Sequence, residues 1–346
     1  MLGSVIVLKK LLVVKIVAVC LIFIVLVFIN GCSNGKTTGT AGTGTDAAPF
    51  VIKHWHSTSQ TTPQYFWIAH ELGFDAEENL NFVDVGALPA TEVLAATVAG
   101  TIDVGGLHIN RTVAGIAAGA KVKCVVANTE TTQEYPHMVF ITKETSPINT
   151  AQDFKGIKLG LTNYGGCHEG IPNAWLLKNG ISDPKNFYEV VVFPSEAKAV
   201  QALEQGDVDA VGFHKDPEWV KDRGGLKIIF TDYDVWESLG GATPFYFTEK
   251  FIEEHPDEVR RFVKVMAKTN NWINENLDQA REITARIANV DVKSIGKVYY
   301  TPDGVIDPET IQVWIDLLIE AGEIKPGSVN REQMYTNEFN ELAKKS

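Results

Sequence analysis

From residue 50 onward, short runs of apolar residues alternate with longer stretches whose apolar positions recur every three or four residues. Runs of the first kind predict buried strands, and the longer stretches predict amphipathic helices. Val51 to His56 reads as a strand, and Pro63 to Leu72 as a helix opened by proline and closed at Gly73. Phe82 to Val85 continues as a strand, Pro89 to Ala99 as a helix, Ile102 to Leu107 as a strand, Ile109 to Ala118 as a helix and Val122 to Ala127 as a strand. After Met138 to Thr142 the alternation restarts. Strands are predicted at Ile157 to Leu161, Phe187 to Phe193, Val208 to Phe213 and Leu226 to Phe230, with helices at Glu169 to Leu177, Ser195 to Gln205 and Pro217 to Asp222. Beyond Phe245 the pattern is helical, over Glu258 to Asn276, Leu277 to Ala288 and Pro308 to Ile319. Strand and helix in alternation imply an α/β fold with mostly parallel sheets.

One pattern occurs twice. Gly100 to His108 and Gly206 to His214 share Gly-x-[Ile/Val]-Asp-x-x-Gly-[Leu/Phe]-His, each after an Ala-rich helical stretch. Each copy predicts a helix ended by glycine, a short turn and a buried strand that delivers a histidine. Two copies so far apart fit two similar lobes facing each other across a cleft, with the aspartates Asp103 and Asp209 at the strand starts as turn and capping residues. The expected boundaries are residues 50–136 for the first part of lobe 1, 137–232 for lobe 2, and 233–346 for the completion of lobe 1 with a C-terminal helical layer. Two crossovers then fall near Glu130 to Pro136 and Thr231 to Thr243.

The N-terminus stands apart from this alternation. Lys9, Lys10 and Lys15 precede an unbroken apolar run from Ile16 to Ile29, the make-up of a secretory signal. Ile29 to Cys32 resembles the lipobox of bacterial lipoproteins, although Asn30 stands where that motif usually has a small residue. That resemblance makes residues 1–32 a signal peptide and Cys32 the lipid attachment site. Cleaved or retained, the segment places the body outside the cytoplasm and attached to a membrane. Residues 33–49, rich in Ser, Gly, Thr and Ala, predict a flexible tether with a reach of about 20 to 25 Å.

Charge narrows the partners. The 346-residue chain carries a formal charge of −12, and −15 without the three lysines of the first 32 residues. A body this acidic is a poor ligand for nucleic acid. Of the four cysteines, Cys124 and Cys167 fall in different predicted lobes, so no disulfide is expected.

Several segments, in order from about residue 50 to 275, carry a family resemblance. They include Thr62 to Phe74, Ala95 to Asp103, Gly115 to Gly119, Ser146 to Gly156, Pro194 to Leu203, Gly206 to Ala210 and Asp216-Pro217. This set resembles the sulfonate, nitrate, taurine and thiamine-precursor substrate-binding proteins of ABC importers. The resemblance implies a two-lobed periplasmic-binding fold of the two-crossover type. It further implies a monomer without cofactor that clamps a small anion or heteroaromatic precursor at the hinge and delivers it to a permease driven by a cytoplasmic ATPase. Where many relatives have Trp before the Asp-Pro pair, this chain has His214-Lys215. Thiamine-pyrimidine synthases share the fold, but their Cys-rich motif has no counterpart here, so binding without catalysis is expected.

In an open α/β sheet the ligand lies beyond the strand C-termini, beside helix N-termini. That rule selects His54, His56, Ser57, Thr58 and Gln60 after the first strand, Leu88 after the second, and His108 with Asn110 after the third. Across the cleft it selects Asn163, Tyr164, Gly165, Gly166, Cys167 and His168, then His214 and Asp216. The two glycines before a helix free backbone N–H groups to meet an anion. Arg111, at the start of the helix after His108, can balance its charge. Six of eight histidines fall at strand ends or at the crossover, His137 among them. They can donate hydrogen bonds to an anion; as the lesser alternative, His54, His56, Cys167 and His168 can hold a transition metal.

Overall fold

Ten strands divide into two groups in a computed structural model that describes residues 48–58 and 60–343. The expected signal, the lipid site Cys32 and nearly all of the tether lie outside the described residues. The strands are β1 (Phe50–Ser57), β2 (Leu80–Leu88), β3 (Gly105–Gly106), β4 (Val122–Val126), β5 (Val139–Lys143), β6 (Lys158–Leu161), β7 (Glu189–Val192), β8 (Ala210–Phe213), β9 (Leu226–Thr231) and β10 (Phe245–Thr248). Helices of six or more residues are α1 (Tyr65–Glu71), α2 (Val93–Val98), α3 (Ile109–Ala117), α4 (Gly166–Lys178), α5 (Glu196–Gln205), α6 (Pro217–Arg223), α7 (Glu249–Glu254), α8 (Pro256–Glu275), α9 (Leu277–Ala288) and α10 (Glu309–Glu320).

The first group is the parallel pair β1-β2 together with the sheet β3-β10-β4; the second is the five-stranded sheet β7-β6-β8-β5-β9. Within it β6 pairs in parallel with β7 and β8, while β5, the strand that enters the group, is antiparallel to β8 and β9. The chain leaves the first group after Val126, returns as β10 at Phe245, and so crosses between the groups twice. Both groups sit within one compact unit that begins at Ala48.

The two copies of the repeated pattern share a clasp. Gly100 and Gly206, with φ of 73° and 87°, end the preceding helix in the left-handed region where glycine has no steric cost. Asp103 then pairs with Lys53 at both ends: its N–H donates to the Lys53 carbonyl at 2.9 Å and its carboxylate accepts the Lys53 N–H at 2.7 Å. Asp209 does the same with Lys158, at 2.9 and 2.8 Å. Each aspartate therefore anchors a neighbouring strand, β1 at its middle and β6 at its start, instead of capping a helix.

The copies diverge after the clasp. Within the predicted Val208 to Phe213, Ala210 to Phe213 forms the buried strand β8, whereas Ile102 to Leu107 yields only the two residues of β3. Gly105 and Gly106 lie so close to Tyr246 and Phe245 of β10 that a Cβ would sit 2.2 and 2.4 Å from their rings. β3 consequently runs antiparallel to β10 as a short glycine ledge under two aromatic rings.

The core of the first group is aromatic, with Phe66, Phe82, Phe245, Phe247 and Phe262 packed together. β-Branched and aliphatic side chains, Val139, Ile141, Leu203 and Val211, dominate under the second sheet. A third cluster joins them, from Val113 and Cys124 through Phe140 and Ile171 to Trp314. Trp314 lies on α10, which packs against α3, and its indole donates to the Gly240 carbonyl in the second crossover at 3.0 Å. The C-terminal helix thus reaches the hinge as well as the first group.

Candidate functional site

The strand ends and helix starts of both groups meet at a cavity of about 310 Å³. From the first group it is lined by Trp55, Ser57 and Thr58 at the end of β1, and by His108 and Arg111 at the start of α3. From the second group come Asn163, Cys167 and His168 at the start of α4, Ser195 and Glu196 at the start of α5, and His214 after β8. His137, in the first crossover, completes the floor. Helix starts converge here because their first N–H groups have no intrahelical acceptor and favour a polar or anionic neighbour.

Arg111 spans the opening. Its guanidinium donates to the Tyr164 carbonyl of the opposite wall at 3.3 Å. Deeper in, four imidazoles form a chain: His108 to His137 at 4.7 Å between ring centroids, His137 to His214 at 4.8 Å, and His214 to His168 at 5.1 Å. The Cys167 sulfur lies 3.8 Å from His214 Nε2, and His214 Nδ1 lies 3.0 Å from the Glu196 carboxylate. Glu196 also accepts the His214 backbone N–H at 2.8 Å. His108 is saturated by the protein, with Nε2 on the Gly240 carbonyl at 2.9 Å and Nδ1 on the Asn110 amide at 3.1 Å. By contrast, His137 Nε2, His168 Nδ1 and Glu196 Oε2 are buried without a hydrogen-bond partner.

Electrostatics separates the rings. Burial pushes the pKa of His108 down to about 3 and those of His137 and His168 well below the ordinary imidazole value, so all three are neutral. Burial also opposes the charge on His214, but Cys167 and Glu196 outweigh it and hold His214 up at about 10. The result is one cation clamped between a sulfur and a carboxylate, ringed by three uncharged imidazoles.

Of the residues selected from sequence, the structure brings Ser57, Thr58, His108, Asn163, Cys167, His168 and His214 to the cavity. Asn110 lies behind it, orienting His108. His54 is 2% exposed, with its ring stacked on Phe66 at 4.4 Å, and His56 pairs with Asp84 at 2.8 Å beside Trp67. Both therefore face α1, away from the cleft and from Cys167 and His168, and Trp55 between them is the residue that lines the cavity. Gln60 bonds the Ser57 carbonyl, and Leu88 packs in a small cluster with Trp55, Val93 and Ile102. Gly165 and Gly166 form the turn into α4, where the Gly165 N–H meets the Glu169 carboxylate, and Tyr164 is 64% exposed at the rim. Asp216 caps α6 through the Trp219 N–H at 3.0 Å and receives the Lys297 N–H at 3.0 Å. Asn128, Thr129, Ser195, Thr243 and Tyr300 line the cavity without having been selected, as does Glu196, since an acid in the first turn of a helix ordinarily answers the helix dipole.

Over residues 60–280, more than half of its length, the sequence matches the family described as NMT1/THI5 like. The chain belongs to that family. A stretch of 110 residues is 36% identical to a candidate aliphatic sulfonates-binding protein of Bacillus subtilis (strain 168), spanning 29% of this chain and 30% of that relative. Among solved structures, the periplasmic aliphatic sulphonate binding protein SsuA from Escherichia coli superposes with a TM-score of 0.64 at 19% identity, over 83% of this chain and 97% of its own. The ligand binding component of an ABC-type import system from Staphylococcus aureus, with zinc bound, gives 0.66 at 15%, over 86% and 100%. The desulfurization enzyme DSZB gives 0.60 at 14%, also over 86% and 100%. At these identities the NMT1/THI5-like chain shares the fold of all three, and that fold hosts both binding and catalysis.

Proposed function

We propose that this NMT1/THI5-like protein is the extracytoplasmic solute-binding component of an ABC importer, tethered to a membrane through its N-terminus, which captures a small anion of the sulfonate or nitrate class and hands it unaltered to a permease. The observation that carries the ligand class is Arg111, a cation reaching across the mouth of a cavity onto which three helix starts converge. An anion entering there replaces the Tyr164 carbonyl as the acceptor of the guanidinium, and so exchanges a neutral partner for a charged one. The family and the sulfonate-binding relatives support the same reading.

A thermal-shift screen of the purified protein, in chelator, over alkanesulfonates, nitrate and bicarbonate tests the reading. Stabilisation rising with the logarithm of concentration is expected, about 2.7 kcal/mol at a hundred times Kd, and Arg111→Gln is expected to reduce it. An anion response identical in Arg111→Gln, the absence of any response, or chemical turnover of the solute refutes it.

A further inference from the structure

The anion reading uses Arg111 and the helix starts, and leaves the sulfur and imidazoles beneath them without a task. We infer that Cys167, His168 and His214, with His137 completing the set, form a site for a zinc-class transition-metal ion at the floor of the cleft. Three independent features of the geometry converge on it.

Spacing comes first. Ligands 2.0–2.3 Å from a tetrahedral zinc ion stand about 3.3–3.8 Å from one another, and Cys167 Sγ stands 3.8 Å from His214 Nε2. One donor atom each from Cys167, His168 and His214 lies within 4.8 Å of the others, and the same limit holds for Cys167 with His137 and His108. Cys167 is common to both triads. An ion beside its sulfur therefore has imidazoles on two sides and needs about 1 Å of contraction to reach bonding distance.

Unsatisfied donors come second. His137 Nε2 and His168 Nδ1 are buried without a hydrogen-bond partner, although a buried ring nitrogen without one is costly. His108 carries the same chemistry but has both nitrogens engaged by Gly240 and Asn110, which sets it outside the sphere.

The outer support comes third. Glu196 holds His214 through Nδ1 at 3.0 Å, which turns Nε2 toward the sulfur. A carboxylate behind a metal-binding histidine fixes the ring and raises its basicity. On binding, the ion displaces to solvent the protons held between Cys167 Sγ and the charged His214, leaving a thiolate and a neutral imidazole whose Nε2 is free to coordinate. One thiolate and one carboxylate then balance the two positive charges of the ion in a buried setting. Thiolate with imidazole suits zinc-class ions, and with no carboxylate in the inner sphere, calcium and magnesium are poor matches.

Cobalt titration of the full chain, purified in detergent, stripped with chelator, kept reduced and free of anionic solutes, reads the site directly. One equivalent of Co2+ is expected to give a sulfur-to-cobalt charge-transfer band with tetrahedral visible bands, and Zn2+ is expected to bleach both. Cys167→Ser should abolish the charge-transfer band, Glu196→Gln should weaken binding by about ten- to a hundredfold, and His255→Gln, remote from the cluster, should change nothing. An octahedral spectrum without charge transfer, or a band that survives in Cys167→Ser, overturns the proposal. If circular dichroism shows Cys167→Ser unfolded, His168→Ala decides: unchanged Co2+ affinity in that variant overturns the site equally. Because this readout contains no sulfonate or nitrate, its failure is separate from failure of the anion reading.

Discussion

The segments Gly100 to His108 and Gly206 to His214 start as the same sentence and end differently. Both end a helix at a left-handed glycine, and both clasp a lysine of a neighbouring strand through an aspartate. From there the second copy continues as β8 and releases His214 into a cluster with Cys167 and Glu196, while the first flattens into a glycine ledge and buries His108 between Gly240 and Asn110. The same residue type at the same motif position is thus a hinge fastener on one wall and a cavity-lining cation on the other. Motif identity set the backbone; the aromatic rings of β10 and the sulfur of α4 set the role.

The sharpest way to break this contrast is to exchange the histidines' fates. His108→Ala leaves the Asn110 amide without its ring partner in a buried place, while the Gly240 carbonyl keeps the Trp314 indole, and should lower stability by about 1–2 kcal/mol whether or not a solute is present. His214→Gln removes the cation that compensates the buried Glu196 carboxylate, and should lower stability by about 3–5 kcal/mol and, unlike His108→Ala, lose solute-induced stabilisation. Equal behaviour of the two variants in chemical denaturation with and without solute would erase the distinction.

The shared part of the two copies predicts equality instead. Asp103→Ala and Asp209→Ala each release one strand N–H from a charged acceptor, and each should cost about 1–2 kcal/mol without changing solute affinity. A loss confined to one of them, measured by urea titration, would mean that the clasps are not equivalent.

The smallest effect concerns a position that follows the clasp. His54 comes one residue after Lys53, as Leu159 comes one residue after Lys158, and both are core positions. Burial holds the His54 pKa below its ordinary 6.5. The folded state therefore binds this proton less readily than the unfolded chain. The contribution is intact above pH 6.5 and is lost as pH falls through that value toward the folded pKa, and each tenfold weakening of proton affinity on folding is worth about 1.4 kcal/mol. His54→Phe, which keeps the stack on Phe66, should flatten the acid side of the stability profile. An unchanged slope would place the protonatable group elsewhere.

The alternation of elements was legible in the sequence because period 2 and period 3.6 leave distinct hydrophobic marks, and the glycine and proline punctuation located most ends to within a few residues. So was the rim, because Cys167, His168 and His214 follow from where strands stop and helices start. Period alone was silent on which face of β1 meets the cleft. His54 and His56 share one face and Trp55 holds the other, as expected, but only the packing of Phe66 and Trp67 against the histidines shows that α1 covers their side. Likewise Ile102 to Leu107 has a strand's composition, and its shortening depends on rings supplied by β10, some 140 residues later in the chain. Glu196 belongs to the same class, since its neighbour His214 is distant in sequence and adjacent only after folding.

Trp55, set between those two histidines, gives the cleft one more property. Its indole is 6% exposed at the cavity wall, and its Nε1 is buried without a hydrogen-bond partner. Indole emission follows the polarity and hydrogen bonding around that nitrogen, so the cleft carries a built-in optical gauge. A guest that changes the polarity beside the indole announces its arrival as a shift in emission, with no label attached.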